Sequence, residues 1–194
     1  LVGYDWSAMR YIGKSAPPAS IALGGFLGYA LGNTIGLSAV SGGAVRYRIY
    51  SALGLAAYDI AAISTFAAVS YGVGATLIGL AALAIHPAAL ADLVSWSPQT
   101  LRWSAIALCV VVVGVGAVIA RRGGALKFGH FFLSAPTGPD MVRQILITFI
   151  DVFMAALVLH LLLPTGSLPF ANMLAVYAVA TMVGVASHVP GGIG

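Results

Sequence analysis

Charged residues are scarce in this chain of 194 residues. Asp, Glu, Lys and Arg make up only 7% of the sequence, 60% of the positions are hydrophobic, and the mean hydropathy is +1.01. A water-soluble domain carries about 25% charged residues, so this composition excludes a soluble fold and predicts a membrane protein. In a bilayer each charge must lie at an interface, be paired, or line a polar cavity.

Cysteine and the common catalytic motifs are also rare or missing. The single cysteine, Cys109, cannot form an internal disulfide. The sequence has no Gly-rich phosphate loop ending in Gly-Lys-Ser/Thr and no Gly-x-Ser-x-Gly elbow, and its four histidines are scattered. We therefore expect no cofactor, no metal and no catalytic residue within this region. The net charge of +4 is informative about topology and anionic lipid.

Five apolar stretches approach the roughly 20 residues that a membrane-spanning helix needs. They are 17–38, a stretch within 52–86, 103–120, 144–163 and 168–187. None shows the alternation of a transmembrane β-strand. The predicted fold class is therefore all-α, a polytopic transmembrane helical bundle with broken or re-entrant helices. We expect residues 1–194 to be part of one module, as a fragment of a larger membrane protein.

Basic residues indicate the orientation of this bundle, because short cytoplasmic loops are rich in Lys and Arg. The cluster within 121–127 follows the third stretch and predicts a cytoplasmic loop. The first half allows two topologies. Either 17–38 crosses the membrane and 52–86 crosses twice, with a break at 71–74, or 17–38 does not cross fully and Arg46 lies inside.

The segment 41–48 is the most specific local feature of the sequence. Gly42 and Gly43 free the backbone, and Arg46 and Arg48 follow, with guanidinium groups suited to bidentate phosphate binding. We expect 40–48 to be irregular or broken. An ordinary loop with topology-setting charges is the alternative.

A second predicted break lies at the end of the last apolar stretch. The residues that mark it are His188, Pro190, Gly191 and Gly192. Non-helical backbone at membrane depth is tolerated only inside protein or along a water-filled cavity. We expect this segment to face a polar cavity shared with 41–48, and a plain helix stop at the interface is the alternative.

Acidic residues within apolar stretches are costly and are functional candidates by default. Asp59 and Asp151 are the two examples, and Asp59 is close enough in sequence to allow a pair with Arg46 or Arg48. Asp5 flanks the first stretch, where a simple interfacial role is the alternative.

Glycines recur every four residues in the first stretch, at Gly24, Gly28, Gly32 and Gly36. This spacing places them on one helix face, where small residues let another helix approach closely.

Three motifs, 28–36, 41–50 and 188–194, resemble the membrane region of the multiple peptide resistance factor family. These are bacterial phosphatidylglycerol lysyltransferases of the cytoplasmic membrane. The resemblance implies a C-terminal synthase domain, outside these residues, that transfers lysine from aminoacyl-tRNA to phosphatidylglycerol. It implies that the membrane region moves the product to the outer leaflet, which lowers the affinity for cationic antimicrobial peptides.

The resemblance also implies roles for individual residues. The family's functional aspartate and arginine fall on Asp5 and Arg46, and a further acidic position matches Asp140. Phosphatidylglycerol and its lysyl ester are the implied partners, with the phosphate held by arginine and the ammonium groups met by Asp5, Asp59 or Asp151. Two alternative functions are a membrane scaffold for the synthase without transport and a stand-alone lipid transporter. A homo-oligomer is a further possible partner.

Overall fold

Helices dominate the structure. The computed structural model describes residues 2–35, 38–122, 125–128, 131–134, 137–164 and 169–187. The described elements, in chain order, are α1 (Val2–Tyr11), α2 (Pro18–Ile35), α3 (Ser38–Ser51), α4 (Ala57–Ile85), α5 (Ala88–Val94), α6 (Pro98–Arg122), β1 (Ala125–Phe128), β2 (Phe131–Ser134), α7 (Gly138–Leu162) and α8 (Phe170–Ser187). The two short strands pair as an antiparallel hairpin between α6 and α7.

Four helices, α4, α6, α7 and α8, are long and apolar enough to cross a membrane. The prediction of helices over 103–120, 144–163 and 168–187 is confirmed. The stretch within 52–86 contains one continuous helix of 29 residues, so of the two topologies the one that needs a break at 71–74 is wrong. The glycines there serve helix packing, because a Cβ at Gly74 would lie 2.7 Å from the Cβ of Thr148 on α7.

The central helix α4 fixes the direction of its neighbours. Arg102, near the start of α6, donates to the carbonyl of Ala84 at the end of α4 over 3.1 Å, so these helices run antiparallel. Helix α8 is also antiparallel to α4, with Met182 against Gly79 and Val185 against Gly72. Phe153 and His160, in the second half of α7, contact Phe170 at the start of α8, so α7 runs antiparallel to α8. The end of α6 and the start of α7 therefore lie at the same end of the bundle as the start of α4.

Helices α2 and α3 form an antiparallel pair. Gly24 of α2 packs against Tyr50, near the end of α3, and Gly28 packs against Gly42, near its start. The segment 40–48 is helical, so the prediction of an irregular or broken segment is wrong. Glycine in a helix costs about 1 kcal/mol relative to alanine, but here the missing side chain allows two helix backbones to touch.

A buried cluster joins α1, α2, α3 and α4. Its members are Ala8, Met9, Ile21, Tyr50, Ile60, Ile63 and Phe66. The ring of Tyr11 stacks on Phe66 with centroids 4.5 Å apart. This core holds α1 and the α2–α3 pair against the first half of α4, and so positions the polar residues described below.

Candidate functional site

A buried ion pair joins α1 to α3. Nε of Arg46 donates to both carboxylate oxygens of Asp5, at 3.1 Å to Oδ1 and 2.9 Å to Oδ2, and Nη2 donates to Oδ1 at 2.8 Å. The hydroxyl of Tyr50 donates to Oδ2 of Asp5 at 2.6 Å. The side chain of Asp5 is 0% exposed and that of Arg46 is 12% exposed. We call Asp5, Arg46 and Tyr50 the ionic triad.

Local helix geometry assembles the triad. Arg46 and Tyr50 are four residues apart on α3, so their side chains lie on one helix face. Asp5 reaches them from α1, which ends at Tyr11 and is followed by Gly13 in a left-handed conformation, φ 69°. Such a conformation suits glycine because it has no Cβ.

Three glycines of α2 form one wall of the triad. A Cβ at Gly25 would lie 3.4 Å from the carboxyl carbon of Asp5, and a Cβ at Gly28 would lie 3.2 Å from the guanidinium carbon of Arg46. A Cβ at Gly24 would collide with the phenol of Tyr50. The predicted close approach of another helix to the glycine stripe is therefore confirmed at Gly24 and Gly28, and the approaching helix is α3.

The negative charge of buried Asp5 is compensated by the positive charge of Arg46 and by hydrogen bonds. Removing two ions from water is costly, and the cost is offset only when geometry is good and the remaining lone pairs are satisfied. The bidentate guanidinium and the Tyr50 hydroxyl meet that condition for Asp5. Burial, together with the neighbouring Asp5 charge, raises the pKa of the Tyr50 phenol, so the phenol stays protonated and donates.

Asp59 lies in the first turn of α4 and not deep within an apolar helix. Its carboxylate accepts from the backbone amide of Ala56 at 3.3 Å and lies 3.3 Å from Nζ of Lys14. The predicted pairing of Asp59 with Arg46 or Arg48 is therefore wrong. Arg46 is instead held by Asp5 of α1, and Arg48 is exposed on α3.

Asp140 lies in the first turn of α7, where the helix dipole stabilises a negative charge. The hydroxyl of Thr137 donates to its Oδ2 at 2.6 Å, and Nη1 of Arg143 lies 3.4 Å from its Oδ1. These contacts belong to the local cap of the helix. Asp140 thus lies at the basic end of the bundle, on a different helix from the triad.

Asp151 lies near the middle of α7 and is half-buried. One turn before it, Thr148 is fully buried and accepts a hydrogen bond from the hydroxyl of Tyr4 at 2.7 Å. The structure places Asp151 on the same helix face as Thr148, beside α1 and α4. Sequence reasoning singled out Asp151 but missed Tyr4 and Thr148, because polar residues of this size are common in apolar helices.

The remaining predicted site residues divide into two groups. Gly42 and Gly43 lie within α3, and Gly42 is the closer of the two to α2. The second group, outside the described residues, consists of His188, Pro190, Gly191 and Gly192. The polar cavity that these residues were expected to share with 41–48 therefore stays a prediction. Among the described residues, no three His, Cys, Asp or Glu side chains come together as a metal site requires.

A cavity of about 390 Å³ lies at the opposite end of the bundle from the end of α6 and the start of α7. Its lining comes from the end of α4, the start of α5 and the starts of α6 and α8, and the polar members are His86, Arg102 and Asn172. Arg102 already donates to the end of α4. The ionic triad lies away from this cavity.

Comparison with known proteins indicates kinship along the whole chain. No family model matches the sequence. The chain is 32% identical, over an alignment of 201 positions, to Uncharacterized protein slr0712 of Synechocystis sp., and the alignment covers 100% of this chain. The chain spans 61% of the length of that relative. The name of the relative assigns it no activity.

Proposed function

We propose that this chain is the membrane module of a protein that moves aminoacylated phosphatidylglycerol, in particular its lysyl ester, to the outer leaflet of a bacterial cytoplasmic membrane. In this proposal the parent protein is a bifunctional phosphatidylglycerol lysyltransferase whose synthase domain lies outside these residues. Transport of the cationic lipid would reduce the affinity of the cell surface for cationic antimicrobial peptides.

The observation that carries the proposal is the buried pair of Asp5 and Arg46. The substrate carries a phosphate anion and ammonium groups, so a path for it needs both signs of charge. A guanidinium binds phosphate with the same bidentate geometry that it uses for a carboxylate. Arg46 can therefore exchange Asp5 for the lipid phosphate, while Asp5 becomes available to an ammonium group.

The α2–α3 pair supports the same proposal. The pair begins at the start of α2 and finishes at the end of α3, and both of these lie near the start of α4, because Ile21 and Tyr50 pack in one cluster with Ile60 and Ile63. That end of the bundle also carries Arg121, Arg122 and Arg143. By the positive-inside rule this is the cytoplasmic end. We therefore assign α2 and α3 as a re-entrant hairpin that enters and leaves on the cytoplasmic side and carries Arg46 to membrane depth.

The test is a leaflet assay on the full-length protein in cells. Arg46→Ala should abolish lysyl lipid in the outer leaflet and leave total lysyl lipid unchanged, because synthesis belongs to another domain. Arg46→Lys should recover only part of the transport, because an ammonium lacks the bidentate fork. Arg10→Ala removes the same charge from an exposed position of α1 and serves as the control.

Two outcomes would refute transport through the triad. Loss of total lysyl lipid in correctly folded Arg46→Ala would favour a scaffold that holds phosphatidylglycerol for the synthase. Normal outer-leaflet lipid in that variant would show that the ionic triad is a structural element only. A parent gene without a synthase would instead indicate a stand-alone lipid transporter.

A further inference from the structure

Polar residues follow one face of α7 through the apolar bundle. Gln144, Thr148 and Asp151 are four and three residues apart, a spacing that aligns them along a helix. Thr148 is 0% exposed and Gln144 is 5% exposed. Buried polar side chains are normally hydrogen-bonded, yet neither the amide nitrogen nor the amide oxygen of Gln144 has a partner among the described residues.

A chain of tyrosine rings from three other helices starts at this face. The hydroxyl of Tyr4 on α1 donates to Thr148. The ring of Tyr71 on α4 meets that of Tyr4 edge to face, with centroids 6.0 Å apart, and meets that of Tyr29 on α2 at 6.5 Å. Asp151 lies three residues after Thr148 on α7, so its carboxylate is on the helix face that Tyr4 contacts.

This combination of groups matches one ligand chemistry. Aromatic faces attract a cation, a carboxylate balances its charge, and hydroxyl oxygens accept its hydrogen bonds. Tyr4 and Thr148 are buried, whereas Asp151, Tyr29 and Tyr71 are partly exposed, so the cluster has an accessible side. An anion would be repelled by the negative charge of Asp151, and an uncharged apolar group would gain nothing from that charge.

We infer that Asp151, Thr148, Tyr4, Tyr29 and Tyr71 form a subsite for a primary ammonium group of a lipid headgroup. We call these residues the ammonium subsite. The inference rests on the proposed function for its lipid, but it concerns a different place from the ionic triad. In it, Arg46 holds the phosphate, and the subsite distinguishes an aminoacylated headgroup from an unmodified one.

The test compares the binding of two short-chain lipids, lysyl-phosphatidylglycerol and phosphatidylglycerol, to the full-length protein in detergent by calorimetry. The wild type should bind the lysyl ester at least tenfold more tightly. Asp151→Asn should reduce this preference to less than twofold, and Asp151→Glu, which keeps the carboxylate, should retain most of it. Arg46→Ala should weaken both lipids equally and leave the preference unchanged.

Each result separates the subsite from the proposed function. A wild type without a preference, or an Asp151→Asn variant that keeps it, would overturn the subsite even if transport occurs. Should Asp151→Asn fail to fold, Tyr71→Leu removes one aromatic face and should lower the preference at least threefold, and an unchanged preference there would overturn the subsite. A preference that depends on Asp151 in a protein that transports neither lipid would support the subsite and refute the flippase.

Discussion

The close contact between α2 and α3 makes a quantitative prediction at two adjacent glycines. A Cβ at Gly42 would lie 2.5 Å from the carbonyl oxygen of Gly28, whereas a Cβ at Gly43 would have only the hydroxyl of Ser64, at 4.0 Å, within reach. Gly42→Ala therefore forces the two helices apart, and Gly43→Ala does not. The two variants make the same chemical change one residue apart, so each is the control for the other.

The expected difference follows from two terms. Either alanine should gain about 0.5–1 kcal/mol in helix propensity over glycine. Overpacking costs about 1–3 kcal/mol, and a gap of roughly 1 Å between the helices forfeits a quarter to a half of the dispersion energy at their contact. Gly43→Ala should thus be neutral or stabilising, and Gly42→Ala should be less stable than Gly43→Ala by about 2 kcal/mol.

Thermal unfolding of the purified protein, followed by tryptophan fluorescence, measures this difference. About 2 kcal/mol corresponds to a Tm difference of roughly 4–8 °C for a chain of this size. Separation of the helices should also lengthen the contacts of Arg46, which lies one turn after Gly42 on α3. Equal Tm values for the two variants would refute the close packing of α3 on α2 and would favour the irregular or broken segment that the sequence predicted at 40–48.

Two further substitutions test how the acidic residues are held. Tyr50→Phe should lower the free energy of unfolding by about 1–3 kcal/mol, because buried Asp5 loses a hydrogen-bond donor. Denaturant unfolding measures this change, and an unchanged midpoint would show that the hydroxyl does not stabilise the fold. Asp59→Asn should lower the free energy of unfolding by less than about 1 kcal/mol in the same measurement, because its partner Lys14 is half exposed. A larger loss would mean that Asp59 stabilises the fold through more than this surface pair.

Much of the helical architecture could be predicted from the sequence. The stretches 103–120, 144–163 and 168–187 became α6, α7 and α8 because the lipid requires each long apolar segment to satisfy its own backbone hydrogen bonds. The error at 40–48 came from reading Gly42 and Gly43 as a break. Glycine pairs also occur where helices touch, and only the position of the partner helix distinguishes the two cases.

The candidate site was predicted in part. Arg46 was singled out by the segment 41–48, and the family resemblance added functional roles for Asp5 and Arg46. The structure brings these two residues together across 41 residues of sequence. Tyr50 was missed, although its position four residues after Arg46 on one helix face was a usable signal. The contact between Tyr4 and Thr148 joins residues 144 positions apart, and no local pattern announces it.

The sequence by itself determined that this chain is a membrane protein built of apolar helices, since a shortage of charge and long apolar stretches leave no other way to solvate the chain and pair its backbone. Only the tertiary structure decided which charges are paired. Asp5 on α1 meets Arg46 on α3, and Asp59 at the start of α4 meets Lys14, which follows α1, because α1 packs on both α2 and α4. An ion pair between two helices depends on how those helices pack, and the spacing of charged residues along one helix does not specify that packing.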